Sequence, residues 1–184
     1  IYAGSFKAGI ANGKGKITYP DASNYDGDWV NGVIDGEGVA TYPNGTIYKG
    51  AFKNAQIHGF GVMTYSDGYT YEGEWKEGLR HGKGKATFPD EMVYEGEYQD
   101  NLRHGNGKIT LADGFSYEGT WENGEINGFG KATYSNGDVY EGNFVKGRRQ
   151  GEGTITFASG EETTGEWENG ALISSETDGV VKEN

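Results

Sequence analysis

The chain has 184 residues, of which 34 are glycine and none is cysteine, and its net charge is −12. The missing thiol excludes disulfides, cysteine metal sites and cysteine nucleophiles, and fits either redox compartment. The acidic balance disfavours nonspecific binding to nucleic acid or to an anionic membrane, except through a local basic strip, and no apolar run approaches the ~20 residues that span a bilayer.

The chain opens at Ile1, one residue ahead of a repeating unit and without an initiator Met, which reads as an excised fragment. The missing signal peptide therefore carries little weight. From Tyr2 onward the sequence repeats every 23 residues without insertion or deletion, a period that marks a solenoid or array. Seven full repeats occupy 2–24, 25–47, 48–70, 71–93, 94–116, 117–139 and 140–162. A partial eighth runs over 163–170, and 171–184 form a polar cap or tail. Counted from the tyrosine of each repeat, glycine holds positions 3, 12 and 14, an aromatic ring position 5, and threonine position 17. Glycine placed so strictly is structural and does not signal disorder.

Repeat four, "YEGEWKEGLRHGKGKATFPDEMV", shows how one unit folds. Tyr71, Gly73 and Trp75 alternate with Glu72, Glu74 and Lys76, which predicts a strand with a ring face and a charged face. "KGKATF" predicts a second strand, and "EGLRHG" reads as a glycine-bounded loop between them. Asn-Gly and Asp-Gly pairs close most repeats and suit tight turns. Each repeat is then a β-hairpin. Symmetric pairing about the loop sets Trp75 opposite Gly84, Gly73 opposite Ala86 and Tyr71 opposite Phe88. On the charged face it pairs Glu74 with Lys85 and Glu97 with Lys108, and such pairs fix register. The expected fold is all-β: a single-layer, elongated antiparallel array of hairpins. It advances about 10 Å per repeat and is on the order of 70 Å long. Its rings are buried by stacking on neighbouring hairpins.

"YEGEWKEGLRHGKGKATF", "YEGEYQDNLRHGNGKITL", "YEGTWENGEINGFGKATY" and "YEGNFVKGRRQGEGTITF" resemble MORN repeats, the membrane occupation and recognition nexus motif. The resemblance covers Tyr2 to about Gly170. It implies a twisted single-layer sheet with a groove on its aromatic side. It also implies a scaffold or adaptor, with phospholipid binding in some members and a partner helix or peptide docked in the groove in others. Ala55 and Asn101 replace a loop glycine, Glu91 a turn glycine and Thr163 the opening tyrosine. The last half-repeat is accordingly expected to cap the array.

His58, His81 and His104 share position 11. Equivalent positions lie about 10 Å apart, too far to share an ion held by bonds of about 2 Å, so no metal is expected. Asn12, Asp35, Asn127 and Gln150 fill the same position and suit bonds to a loop backbone. Glu72, Glu95, Glu118 and Glu141 form a solvated ladder, with no isolated acid–base pair. "GKGK" and "GNGK" lack the spacing and the helix of a phosphate loop. The expectation is no enzyme and no cofactor. Arg80, Arg103, Arg148 and Arg149, with Lys83, lie in predicted loops along one edge. They form either an anionic-lipid strip or a charge balance to nearby glutamates. Trp29, Trp75, Trp121 and Trp167 recur every 46 residues. Alternating ring sizes pack well, and they also offer anchor pockets about 20 Å apart.

The leading expectation is a non-enzymatic interaction scaffold. A partner's helix or extended peptide lies in a groove lined by Tyr48, Phe52, Tyr71, Trp75, Tyr94, Tyr98, Tyr117 and Trp121. The alternatives are peripheral attachment to an anionic membrane, glycan binding, and an accessory domain of a larger enzyme. An open sheet also offers its edge strand, Tyr2 to Lys7, for a homodimer. A cytoplasmic or membrane-peripheral setting is favoured.

Overall fold

The computed structural model describes residues 1–175 of the chain. Every element in it is a strand. The first four hairpins are β1 (Tyr2–Lys7), β2 (Ile10–Thr18), β3 (Asn24–Val30), β4 (Val33–Thr41), β5 (Ile47–Lys53), β6 (Gln56–Thr64), β7 (Thr70–Lys76) and β8 (Leu79–Thr87). The next four are β9 (Val93–Gln99), β10 (Leu102–Thr110), β11 (Ser116–Glu122), β12 (Glu125–Thr133), β13 (Val139–Val145), β14 (Arg148–Thr156), β15 (Glu162–Glu168) and β16 (Ala171–Ser175). Strand order in the sheet is the order in sequence, so the all-β array of antiparallel hairpins forms as the alternation predicts. The described residues make two compact units, residues 1–89 with 98–101, and residues 90–97 with 102–175. β16 pairs with β15 through Trp167 and Leu172, among others. The rest of the expected cap, 176–184, lies outside the described residues.

The inner turn of each hairpin is shorter than expected. In repeat four it is Glu77–Gly78 alone, both in the left-handed region, with φ of 51° and 81°. This two-residue geometry matches the twist of the strands it joins. Leu79, Arg80 and His81 are consequently part of β8, not of a loop. The register moves with the turn. Trp75 pairs with Arg80, Gly73 with Gly84, Tyr71 with Ala86 and Glu72 with Lys85, which corrects the pairings of Trp75 with Gly84 and of Glu74 with Lys85. The ladder bulges between Gly73 and Trp75, where Glu74 stands across from His81, Gly82 and Lys83. The Glu74 carboxylate uses that space by accepting the Lys83 N–H at 3.0 Å. Lys108 likewise meets Glu118 at 3.6 Å, while Glu97 accepts the Asn106 N–H at 3.2 Å.

The paired glycines receive the tyrosine of their own repeat. A Cβ on Gly84 would collide with the Tyr71 phenol, whose hydroxyl donates to the Glu74 carbonyl at 3.1 Å. Trp75 instead packs edge-on against Tyr71 at 4.9 Å and against Tyr48 of the preceding repeat at 5.7 Å. Its indole N–H donates to the Gly61 carbonyl at 3.3 Å. Trp29, Trp121 and Trp167 make the same bond back to Gly15, Gly107 and Gly153. Edge-to-face pairs of this kind add about 0.5–1.5 kcal/mol beyond the area they bury. The position-5 ring therefore joins consecutive repeats, and the position-1 tyrosine fills one repeat.

Candidate functional site

The alternation places positions 1, 3, 5, 10, 14 and 16 of each repeat on the ring face. None of these positions carries Asp or Glu in any repeat, and their only charges are Arg80, Arg103 and Arg149, at position 10. The acids lie on the opposite face and in the turns. The chain is thus acidic overall, while these six positions carry only cations.

Each of the three arginines lies on the aromatic ladder. The Arg80 guanidinium sits over Tyr98 at 5.2 Å and Tyr71 at 5.7 Å. It donates to the Tyr69 hydroxyl at 2.7 Å and to the Asn101 carbonyl at 2.9 Å. Arg103 stacks on Trp121 at 4.3 Å and donates to the Gly124 carbonyl at 3.0 Å. Arg149 stacks on Trp167 at 4.0 Å and donates to the Gly170 carbonyl at 2.6 Å. In each case the arginine reaches the position-5 ring of the next repeat, and cation–π contact is worth about 0.5–2 kcal/mol. Repeats two, three and six place Ile34, Ile57 and Ile126 at the same position.

On the ring face of the first unit a recess of about 520 Å³ opens among Met63, Tyr65, Asp67, Tyr69, Trp75, Gly78, Arg80 and Asn101. Tyr69 stacks obliquely on Tyr65 at 5.0 Å and on Phe88 at 4.7 Å. The turn Tyr65–Tyr69 closes with the Tyr69 N–H donating to Asp67, which holds the tyrosine beside Arg80. Burial raises the Tyr69 phenol above its ordinary value, and the Arg80 charge opposes the shift without cancelling it. Tyr25 is pushed up to about 12 by burial. Tyr48, Tyr94, Tyr117 and Tyr140 are raised for the same reason.

Of the eight rings expected to line a groove, Tyr48, Phe52, Tyr71, Trp75, Tyr94, Tyr98, Tyr117 and Trp121, every one is 0–7 % exposed. Trp75 reaches the recess wall, and the rings as a set form the core of the sheet. The cations expected along one edge divide between faces. Arg80, Arg103 and Arg149 lie on the ring face, and Lys83 and Arg148 lie exposed on the other. The sequence did not single out Tyr65, Tyr69 and Met63, which complete the recess. Their signal is an aromatic residue at position 18 and a second at position 22 of repeat three alone among the first four repeats.

Position 11 ties turns together. Asn12, Asp35 and Gln150 accept the N–H of Asn31, Asn54 and Asn169, the first turn residue of the next repeat. His81 has Nδ1 at 3.8 Å from Asp100, at that same turn. No group of three or more His, Asp or Glu suited to a metal ion occurs among the described residues.

The family model described as "MORN repeat" matches residues 2–23, 25–47, 48–68, 71–93, 94–116, 117–139 and 140–162. No curated protein is significantly similar to the chain. Solved structures that resemble it include the SAS-4 (dCPAP) TCP domain of Drosophila melanogaster in complex with a proline-rich motif of Ana2, at 14 % identity and TM-score 0.41, covering 89 % of this chain and 90 % of that one. The wild-type TCP10 domain of Danio rerio CPAP resembles it at 12 % identity and TM-score 0.39, covering 88 % of both chains. Likeness this remote carries no weight for fold or partner.

Proposed function

The chain belongs to the MORN-repeat family, and on that premise we propose that it is a non-catalytic interaction scaffold whose ring face receives a segment of a protein partner. The recess beside Trp75 supports this reading most directly. It combines apolar walls with a few polar groups, namely Arg80, Asn101, the Tyr69 hydroxyl and Asp67, the mixture that orients a bound segment. Met63 and Trp75 are buried at the recess wall, so the contact area belongs chiefly to the half-buried Tyr65 and Tyr69. A photo-crosslinking residue at Tyr65 should capture the partner segment, and the same group at Lys131 on the charged face should not. Equal capture from both sites would defeat the reading.

Contact with anionic lipid is the second reading. The exposed Lys83 and Arg148 favour it, while Arg80, Arg103 and Arg149 spend their guanidinium groups on rings and carbonyls. Flotation with phosphatidylserine vesicles, abolished by salt and by Lys83→Glu with Arg148→Glu, would establish it.

A further inference from the structure

Arg80 sets the polarity of the ring-face recess by spending the acceptors of two neighbours. Its guanidinium donates to the Tyr69 hydroxyl oxygen and to the Asn101 main-chain carbonyl. Its main-chain N–H and its Nε donate to the Asn101 side-chain oxygen at 2.9 and 3.4 Å. What these two residues still offer an occupant is hydrogen, from the Tyr69 O–H and the Asn101 side-chain amide. The Trp75 indole N–H is already given to Gly61. Asp67, exposed at the rim, uses one carboxylate oxygen on the Tyr69 N–H. Asp67 and Arg80 both line the recess, so a carboxylate there would face the first and a guanidinium or ammonium the second. Like charges brought together select against both, and the recess suits an uncharged occupant.

The walls add a shape. Tyr65 and Tyr69 are half-buried and inclined to each other by 45°, and Tyr69 is inclined to Phe88 by 50°. Together they present a bent apolar wall of ring faces and edges. The geometry points to a proline-rich segment in the polyproline II conformation as the occupant. This inference deepens the reading of the recess as a partner site and rests on it. An α-helix bonds its carbonyls to its own amides, and would cover the Tyr69 and Asn101 hydrogens without giving them acceptors, which costs stability. An extended strand carries an N–H for every carbonyl and finds donors where it needs acceptors. A polyproline II segment has no internal hydrogen bonds, so its carbonyls are free, and each proline lacks an N–H. Its carbonyls accept from Tyr69 and Asn101, and its pyrrolidine rings lie on Tyr65 and Tyr69. Its backbone is ordered before it binds, which lowers the entropy lost on docking.

The test is selection of random 12-residue displayed peptides on the full chain, followed by affinity measurement with the synthetic consensus peptide. The proposal expects a consensus with at least two prolines no more than three residues apart and no recurrent acid or base between them. Replacing those prolines by alanine should lower affinity at least five-fold. So should Tyr65→Ala, and so should Asn101→Asp, which keeps an oxygen for Arg80 and removes the amide hydrogens, each with its β spectrum intact. Affinity should stay within two-fold on Phe129→Ser, on the charged face. A consensus without proline whose binding Tyr65→Ala abolishes leaves the recess a partner site and overturns the proline class; apolar residues at i, i+3 and i+4 would give the recess to a helix. Loss on Tyr65→Ala with Asn101→Asp unchanged removes the match of carbonyl to donor and also overturns it. Unchanged binding to both variants, or no peptide selected, overturns the class and the site together. A dimer in sedimentation that Tyr65→Ala dissolves gives the recess to a second copy and has the same force against the proposal.

Discussion

Repeats three and four are adjacent, lie mainly in one compact unit and share a backbone, yet they present different chemistry on both faces. Tyr48 and Tyr71 cover the paired glycines in the same way, and Phe52 and Trp75 join each repeat to the one before. Position 10 is buried Ile57 in one and half-buried Arg80 in the other. Position 4 is Ala51 against Glu74, and the row at positions 2 and 15 is Lys49 and Val62 against Glu72 and Lys85. A small skeleton of tyrosine, glycine and one ring thus fixes the hairpin. The other positions vary without moving the register, and they carry what distinguishes one stretch of the array from another.

The shared skeleton predicts equal and large losses. Tyr48→Ala and Tyr71→Ala should each cost about 3–5 kcal/mol in urea unfolding, because each leaves bare glycine backbone under an empty ring site. A difference of more than half between the two would break the equivalence. At position 10 the repeats should diverge. Ile57→Ala should cost about 2–4 kcal/mol as a buried aliphatic side chain, and Arg80→Ala about 1–2 kcal/mol for a stacked and hydrogen-bonded cation. Arg80→Lys should not restore the loss, since an ammonium cannot reach Tyr69 and Asn101 while lying flat on Tyr98.

Alkaline pH should act on repeat three through Tyr48 and Tyr69, whose phenols burial raises. The folded-state phenols are raised by burial, that of Tyr25 from 10.0 to about 12. Between those values the unfolded chain has lost protons that the folded chain keeps, so stability falls as pH rises. Denaturant midpoints should hold below about pH 9.5 and drop progressively above pH 10. A midpoint flat to pH 12 would show that the phenols titrate freely. The smallest effect transplants a difference. Ala51→Glu places a carboxylate where Glu74 sits in repeat four, within reach of the Phe60 N–H but across from Glu37, so the like charge should offset the new hydrogen bond and leave stability within about 0.5 kcal/mol. A larger change in either direction would show which of the two contacts dominates.

The period, the strand alternation and the buried rings were legible in the sequence because each rests on one residue type recurring at one spacing. The inner register was not. Glu77 takes a positive φ that its side chain does not advertise, so "EGLRHG" passed for a loop. The readable signal lay in other copies, at Asn31-Gly32, Asn123-Gly124 and Asn169-Gly170, pairs typical of two-residue hairpin turns. With the turn misplaced, Arg80 fell on a loop edge instead of the ring face, and Trp75 instead of Tyr71 was laid over Gly84. Gly84→Val is a damaging change, with Tyr71 as the ring it displaces. The recess was missed because Tyr69 belongs to a turn, where aromatic residues follow no period.

The sequential strand order has a kinetic consequence. Sheets usually fold slowly because their partners are distant in the chain and long loops must close first. Here the bonds that join repeats span only 14 residues at Trp75–Gly61 and 21 at Arg80–Asn101. The contact order is that of a local fold, although every element among the described residues is a strand. During synthesis at ~5–20 residues per second, a new repeat leaves the ribosome every few seconds and finds its only upstream neighbour already in place. The chain can therefore assemble hairpin by hairpin as it emerges.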